Sequence, residues 1–440
     1  MKILLIDAMA AFLDFALRAE AQGHEVRLWL PKEKDGSHNT VGDGLVAKVP
    51  DWQGSMNWAD LIVLSDNARF LGELEPWRRK GYPIFGPGKE GASWELERGT
   101  GQQVLEATGI SCIPSHVFSG YKEAIEFVTG TGKRYVSKPT GDADKALSYV
   151  SKGPADMLFM LDYWNRTQKV KVPFLLQEFI PGIEMAVGGW VGRDGFLGMF
   201  LENFEFKKLM PGDVGVNTGE MGTVMKYCPI EESKLAQEML LPLEAQLIRQ
   251  GYTGYIDVAV IIDKKGKPWP LEFTTRPGWP LMQIQQILHP DVAEWMLDAV
   301  NGKDTFRPSG QIAAGFVVAH ADFPFNKLPR ATVSGFPVWG ITDSNRYFIH
   351  PSEMKLGMAP DFSSGSLKHV PSLVSAGQYL LTVSGRGWSV REAVAGAFSR
   401  VKQLEVPNSP VYRIDIGERL ERQLPELQDF GYAVSWEWEA

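Results

Sequence analysis

The sequence predicts a mixed α/β (α+β) protein in three parts, and three observations predict it. Short apolar runs alternate with helical patterns over residues 1–88. A glycine-rich apolar stretch from Met185 to Phe200 reads as paired antiparallel strands. From about Gln311 the chain becomes strand-rich. A length of 440 residues suits two or three domains. The divisions expected are 1–88, 89–310 with a smaller lobe at about 115–180, and 311–440.

Met1–Ile6 is an apolar run ending in Asp7, as a buried parallel strand would end. Ala8–Gln22 places Phe12, Phe15, Ala16 and Ala19 at helical spacing, with Gly23 as the stop. Glu25–Leu30, Leu61–Ser65 and Pro83–Gly86 read as three more strands, which makes the first part an open parallel, Rossmann-like sheet. Its first strand-to-helix turn, Asp7-Ala8-Met9-Ala10-Ala11, has no glycine, which excludes a dinucleotide pyrophosphate held close to the backbone there. Gly86-Pro87-Gly88 reads as a linker. A helix is expected from about Ser93 to Ala107 and another near Tyr121–Val128. Tyr135–Lys138 and Phe174–Phe179 read as strands, and Ser233–Gln250 as one long helix. Tyr255–Ile262 and Trp269–Phe273, joined by Asp263-Lys264-Lys265-Gly266-Lys267, form a hairpin pattern. Strands are expected at Ala313–Ala319, Tyr347–His350 and Tyr379–Ser384. Ser389 with Glu392 is a capping box, opening a helix to about Leu404.

Composition narrows the function. The 44% apolar content and the 23 Phe, 14 Trp and 12 Tyr residues exclude a disordered chain. A net charge of −8 with no long basic stripe argues against duplex nucleic acid as partner. Two cysteines, Cys112 and Cys228, cannot form a disulfide framework and suit a reducing compartment. There is no zinc spacing, no signal segment and no run long enough to span a membrane, so a cytoplasmic protein is expected.

Four stretches could carry chemistry. Lys138 ends a strand and precedes Pro139-Thr140-Gly141-Asp142-Ala143-Asp144-Lys145; a lysine beside a glycine loop can hold a phosphate. In Leu175-Leu176-Gln177-Glu178-Phe179-Ile180-Pro181-Gly182-Ile183-Glu184 a strand reaches a hinge and then presents a carboxylate. Backbone groups at such a hinge can pair with an adenine edge, and the carboxylate with ribose hydroxyls. Lys207-Lys208, Asp213 and Asn217-Thr218-Gly219-Glu220-Met221-Gly222 suit an anionic substrate, and equally a surface loop. Glu272 and Thr274 lie two apart on one strand face, which can hold a Mg²⁺ bridging phosphates or equally form a half-buried strand with a charged rim, and Arg276 beyond them can clamp a carboxylate.

In their order these segments resemble the ATP-grasp carboxylate–amine ligases, and among them the phosphoribosylamine–glycine ligases. The resemblance is strongest from Gln177 to Gln283, through Gln-Glu-Phe-Ile-Pro-Gly-Ile-Glu, Asn-Thr-Gly-Glu-Met-Gly, Tyr252-Thr253-Gly254 and the run Glu272 to Pro280. Phe85-Gly86-Pro87 and Arg413-Ile414-Asp415-Ile416-Gly417 extend it weakly. It implies an ATP-grasp fold with a pre-ATP-grasp N-terminal domain, and ATP and Mg²⁺ as cofactors. The activity implied is amide formation through an acyl phosphate, joining glycine or another small amino acid to a nucleotide-type or other amine, in a monomer or homodimer. Lys138 would hold ATP phosphates, Gln177, Glu178 and the Ile180 backbone the adenine, and Glu184 the ribose. Glu272 and Thr274 would bind the metal. Asp213, Asn217 and Thr218 would line the substrate pocket, and Arg276 would hold the carboxylate and its acyl phosphate.

The departures cluster on the amine side. The family's Gly-x-Gly-Gly-Arg-Glu-His motif is replaced by Asp7 to Phe12, and its glycine-rich phosphate loop by Gly141 to Ser148. Its metal-binding Asn is Thr274, the second glycine of its Asn-Thr-Gly-Gly-Met-Gly loop is Glu220, and its Gly-Asp-Pro-Glu is Gly278-Trp279-Pro280-Leu281. Trp279 could stack on a base, line an apolar pocket or simply pack. Asp257, on the strand paired with that of Glu272, could supply a further metal ligand. These changes point to a different amine acceptor; the alternative is a non-catalytic ATP-grasp protein that binds nucleotide without turnover.

Overall fold

The structure is a computed structural model and describes residues 1–139, 148–167, 173–325 and 327–439. Of the expected phosphate loop, Gly141 to Leu147 lie outside the described residues.

The first sheet is parallel, as its apolar runs require. It comprises β1 (Lys2–Ile6), β2 (Glu25–Trp29), β3 (Leu61–Leu64) and β4 (Ile84–Phe85), in the order β2-β1-β3-β4. Ile3, Leu4 and Leu5 are fully buried, so both faces of β1 are covered. Helix α1 spans Leu13–Ala21 and starts later than the apolar spacing suggests. The reason is Asp7, whose carboxylate accepts the N–H groups of Met9, Ala11 and Phe12 at 3.3, 3.0 and 2.8 Å and the Ser65 hydroxyl at 2.6 Å. Those bonds hold residues 8–12 in a turn, with Ala10 at φ 56°. Helix α2 (Leu71–Arg79) follows β3.

The helix expected over Ser93–Ala107 is two helices, α3 (Lys89–Leu96) and α4 (Arg98–Ala107), broken at Glu97, whose backbone is extended. A four-stranded antiparallel sheet follows: β5 (Ser115–Phe118), β6 (Tyr135–Pro139), β7 (Tyr149–Val150) and β8 (Phe174–Glu178), ordered β5-β8-β6-β7. Helices α5 (Tyr121–Thr131) and α6 (Pro154–Thr167) cover one face, where Tyr121, Val128, Tyr135, Leu161, Trp164, Phe174 and Leu176 form a core. Lys138, Leu175 and Gln177 alternate with that core and so lie on the other face.

The third sheet has eight strands, ordered β13-β12-β9-β10-β11-β14-β18-β15. Its first members are β9 (Gly182–Gly192), β10 (Gly195–Met210), β11 (Val214–Pro229), β12 (Gly254–Asp263), β13 (Pro268–Thr274) and β14 (Ile312–Ala319). The Asn217–Gly222 stretch is part of β11 rather than a loop. The long helix expected over Ser233–Gln250 is α7 (Lys234–Met239), a 3₁₀ turn at Leu241–Leu243, and α8 (Glu244–Arg249). Pro242 has no N–H to give the helix ladder, which explains the break. Helices α9 (Leu281–Gln285) and α10 (Glu294–Val300) follow β13.

Tyr347 and Phe348 belong to a 3₁₀ turn, and β15 is Ile349–Pro351. Strands β16 (Met354–Asp361) and β17 (Lys368–Ser375) form a separate two-stranded arm that sequence patterning did not reveal. β18 (Tyr379–Gly387) pairs with β14 and β15, so strands from beyond residue 311 extend the central sheet. Helix α11 (Val390–Val401) carries the capping box of Ser389 and Glu392, and α12 (Leu420–Asp429) closes the chain. No described helix is long and apolar enough to cross a membrane.

Candidate active site

Strand register puts the polar groups of the central sheet on one face. Glu272 lies opposite Ala259, Ala259 opposite Ala186, and Ala186 opposite Asn203. Two residues along, Thr274 lies opposite Asp257, and Asp257 opposite Gly188. Directly opposed residues share a face and the side-chain period is two. Glu184, Asn203, Glu205, Lys207, Asp257, Glu272 and Thr274 therefore project the same way. Gly188 is required there: a Cβ would sit 2.1 Å from the Tyr255 hydroxyl, which crosses over it.

Lys138 reaches this face from the smaller sheet. Its ammonium is 3.4 Å from the Leu271 carbonyl and only 8% exposed. Burial lowers its pKa from the usual 10.5 to about 8; the nearby Glu272 and Glu184 oppose that shift, and Arg98 and Lys207 reinforce it. Gln177 shares the cleft face with Lys138, and a cavity of 30 Å³ between the two sheets is lined by Arg98, Leu175, Gln177 and Glu272. That is room for a water molecule or so. Glu178 points away from Gln177 and pairs with Lys133 at 2.6 Å. Ile180 is half-buried just beyond β8.

Lys207 is the hub of the face. It lies 2.6 Å from Glu184 and 3.0 Å from Glu205. Burial works against both charges, yet the pairing holds Glu184 below the usual carboxylate range and Lys207 well above the usual ammonium range. Arg98, at the start of α4, lies 3.2 Å from Glu272. Arg276 lies 3.6 Å from Glu95, and the other Glu95 oxygen accepts from the Thr275 N–H at 2.8 Å and from the Asn67 side chain at 2.7 Å. Those bonds fix the turn that carries Arg276.

The expected substrate residues separate. Asp213, in the 3₁₀ turn Pro211–Asp213, is held by Arg413 at 2.9 Å and approached by Arg419 at 3.7 Å. Thr218 donates to the Lys207 carbonyl at 2.9 Å, behind the hub. Asn217 donates to the Ser148 carbonyl at 3.5 Å. Trp279 stacks on Tyr379 at 4.4 Å and 25°, so one face of its ring is already covered.

Two buried acids here each leave one carboxyl oxygen without a hydrogen bond. Glu220 and Asp257 are 6% and 1% exposed, and Oε1 of Glu220 and Oδ1 of Asp257 accept no hydrogen bond. Burial and the neighbouring carboxylates, Glu205 above all, raise both pKa values well above the usual range. Asp257 lies directly opposite Thr274, on the strand face that also carries Glu272. Among the described residues, no three Asp, Glu, His or Cys side chains converge closely enough to cage a metal. Sequence reasoning missed Arg98, Glu95 and Tyr379, which come from distant elements with no local signal. It could have found Glu205: Asn203, Glu205 and Lys207 are polar at every second place, with Phe204 and Phe206 between them.

Residues 100–281 match the family model described as phosphoribosylglycinamide synthetase, ATP-grasp (A) domain. Phosphoribosylamine–glycine ligase from Ralstonia nicotianae is 27% identical over 371 residues, covering 80% of this chain and 82% of that protein. The enzyme of the same name from Neisseria meningitidis serogroup B is 25% identical over 365 residues, covering 79% and 81%. Among solved structures, the phosphoribosylamine–glycine ligase of Thermotoga maritima superposes with a TM-score of 0.71 at 20% identity, covering 95% of this chain and all of that one. N5-carboxyaminoimidazole ribonucleotide synthetase from Thermotoga maritima gives 0.57 at 14% identity, covering 93% and 99%.

Proposed function

We propose that this chain, an ATP-dependent carboxylate–amine ligase of the ATP-grasp fold similar to the phosphoribosylamine–glycine ligases, joins glycine or another small amino acid to an amine through an acyl phosphate. The observation that carries the reading is the convergence of two sheets. Lys138 comes from one, Glu184 and Glu272 from the other, and the three interact electrostatically across the cleft. That is the arrangement a nucleoside triphosphate needs, with a cation and a metal-binding carboxylate at the phosphates and a carboxylate at the sugar.

Gln177 and the backbone at Ile180 would contact the adenine, and Glu184, once Lys207 shares it, the ribose. Glu178 would meet a nucleotide through its backbone, because its carboxylate belongs to the far face. Glu272, with Thr274 beside it, would hold Mg²⁺. Two oxygen donors fit that ion, which keeps most of its coordination for phosphate and water. Bound there, Mg²⁺ would neutralise phosphate charge during transfer. Arg276, braced by Glu95, would hold the substrate carboxylate and the oxyanion that develops when the amine attacks. Asn217, and through the hub Thr218, would shape the substrate end. Asp213 would act through Arg413. Residues 1–88 would serve as the pre-ATP-grasp domain, 89–310 as the ATP-grasp domain and 311–440 as the C-terminal domain. Two free thiols accord with a cytoplasmic enzyme.

The test is ADP release from ATP and Mg²⁺ with glycine and a panel of amines, including freshly generated phosphoribosylamine. Turnover that depends on both an acid and an amine supports the ligase. Arg276→Ala should abolish turnover and leave ATP binding largely intact; unchanged activity in that variant would remove Arg276 from this role.

A further inference from the structure

The first sheet reaches the turn that carries Arg276 through one residue. Asn67 lies three residues beyond β3 and is 3% exposed. Its side-chain nitrogen is 2.7 Å from Glu95 Oε2, on α3, and 2.7 Å from Thr275 Oγ1, in the turn after β13. A carboxylate only accepts, so the amide N–H₂ faces it, and its two hydrogens serve the two oxygens, one each. Thr275 is fully buried. Its N–H donates to the same Glu95 oxygen at 2.8 Å, and its carbonyl accepts the Tyr252 hydroxyl at 3.2 Å. Three side chains thus pin the residue before Arg276.

The donors around Glu95 decide how Arg276 sits. The Glu95 side chain is 6% exposed, and a buried carboxylate needs donors. Oε2 has two neutral ones, from Thr275 and Asn67. Oε1 faces the Arg276 guanidinium at 3.6 Å. A charge-assisted N–H···O bond closes to about 2.7–2.9 Å. Glu95 therefore orients Arg276 without bonding to it. Arg276 Nη1 donates to the Pro277 carbonyl at 3.3 Å. Among the described residues, the rest of the fork stays available to an incoming carboxylate.

Without the Asn67 donor that arrangement tips. Glu95 Oε2 would keep one neutral donor, and the nearest replacement is the cation already beside it. A guanidinium drawn into a closed pair with Glu95 is withdrawn from substrate.

We infer that Asn67 is a positioning residue for Arg276: by satisfying Glu95 from the end of β3, it keeps the guanidinium out of a closed ion pair and available to the substrate carboxylate. The task given to Arg276 rests on the ligase reading; its capture by Glu95 does not.

Phenylglyoxal labelling of Arg276, followed by peptide mass mapping, reads the capture without any ligand. Asn67→Leu should slow labelling at least about threefold. Adding Glu95→Gln to it should restore the parent rate, because a neutral amide cannot close the pair. A merely structural Asn67 predicts the reverse: a loosened turn exposes Arg276, and both variants label faster. Faster or unchanged labelling in Asn67→Leu, or no recovery in the double variant, overturns the inference. If Asn67→Leu loses affinity for a non-hydrolysable ATP analogue, the mark of a disturbed fold, Asn67→Ser takes its place with the same expectations. Glycine is also titrated calorimetrically into the enzyme loaded with that analogue and Mg²⁺. It should bind at least about tenfold more weakly to Asn67→Leu and regain affinity in the double variant. Labelling that slows and recovers while glycine affinity stays unchanged supports the capture and overturns the carboxylate role of Arg276, so the two readings fail separately.

Discussion

Arg98 and Glu272 lie 3.2 Å apart at the cleft between the two sheets. The first residue of α4 thereby places a guanidinium on the carboxylate proposed to bind Mg²⁺, and the cavity beside the pair measures only 30 Å³. Cation and metal compete for one carboxylate. A partly exposed ion pair contributes modestly, about 1 kcal/mol or less. Arg98→Met should therefore lower the Mg²⁺ concentration for half-maximal ADP release by about two- to fivefold. A variant that needs more Mg²⁺ would show Arg98 to be a phosphate ligand instead.

Lys138 gives the site a pH signature. Burial brings its pKa from 10.5 to about 8. Between those values the unfolded chain holds a proton that the folded chain has released, so stability rises with pH across that window. ATP acts in the opposite sense, because phosphates favour the protonated lysine. Affinity for an ATP analogue should be full below pH 8 and fall as pH rises through 8, by up to about tenfold per unit. Calorimetric titrations from pH 7 to 9.5 read this directly. Lys138→Met should bind more weakly at pH 7 and lose the inflection; an inflection that survives belongs to another group.

The sequence made some of this legible and hid the rest for physical reasons. Lys138, Glu184, Glu272 and Arg276 lie in or just beyond strands that local patterning reveals, which brings them forward as candidates. The parallel N-terminal sheet and the Tyr255–Phe273 hairpin were legible because period-two and apolar-run patterns are local. Strand β11 was not. Its segment Asn217–Gly222 has the composition of a loop, and pairing with β10 overrides it. The break inside Ser233–Gln250 was signalled by Pro242, which an apolar period of 3.6 masks. The Asp257 partner depended on hairpin register: an irregularity between Ala259 and Val260 sets which residue faces Thr274. Arg98 and Glu95 owe their place to helix packing, on which no local pattern bears.

Glu220 should make the fold less stable as the medium becomes more alkaline. Burial and the nearby Glu205 carboxylate hold its pKa well above the usual 4.5. The folded chain then keeps a proton that the unfolded chain gives up, so stability falls as pH rises above the unfolded value. Glu220→Gln removes that loss. The variant should melt close to the parent at pH 5 and above it at pH 9, by about 1 kcal/mol or more. Thermal melts at both pH values decide it. A variant that melts lower than the parent at both would show that the carboxylate is paired in the fold.

Asp14, His350 and Ser384 reproduce the spacing of a hydrolytic triad without its function. His350 Nδ1 lies 2.8 Å from the Asp14 carboxylate and Nε2 lies 2.7 Å from the Ser384 hydroxyl. A nucleophile has to meet its substrate, and here the three residues are 2%, 0% and 0% exposed. Arg18 and Gln286 also bond to Asp14, at 2.9 and 3.1 Å. The network thus ties α1 of the first sheet to β15, β18 and the 3₁₀ turn after α9. Its role is adhesion between layers. Ser384→Ala should leave ADP release unchanged and cost about 1–3 kcal/mol of stability by orphaning a buried imidazole nitrogen. A fluorophosphonate should not label Ser384 in the native protein; stoichiometric labelling there would overturn the structural role.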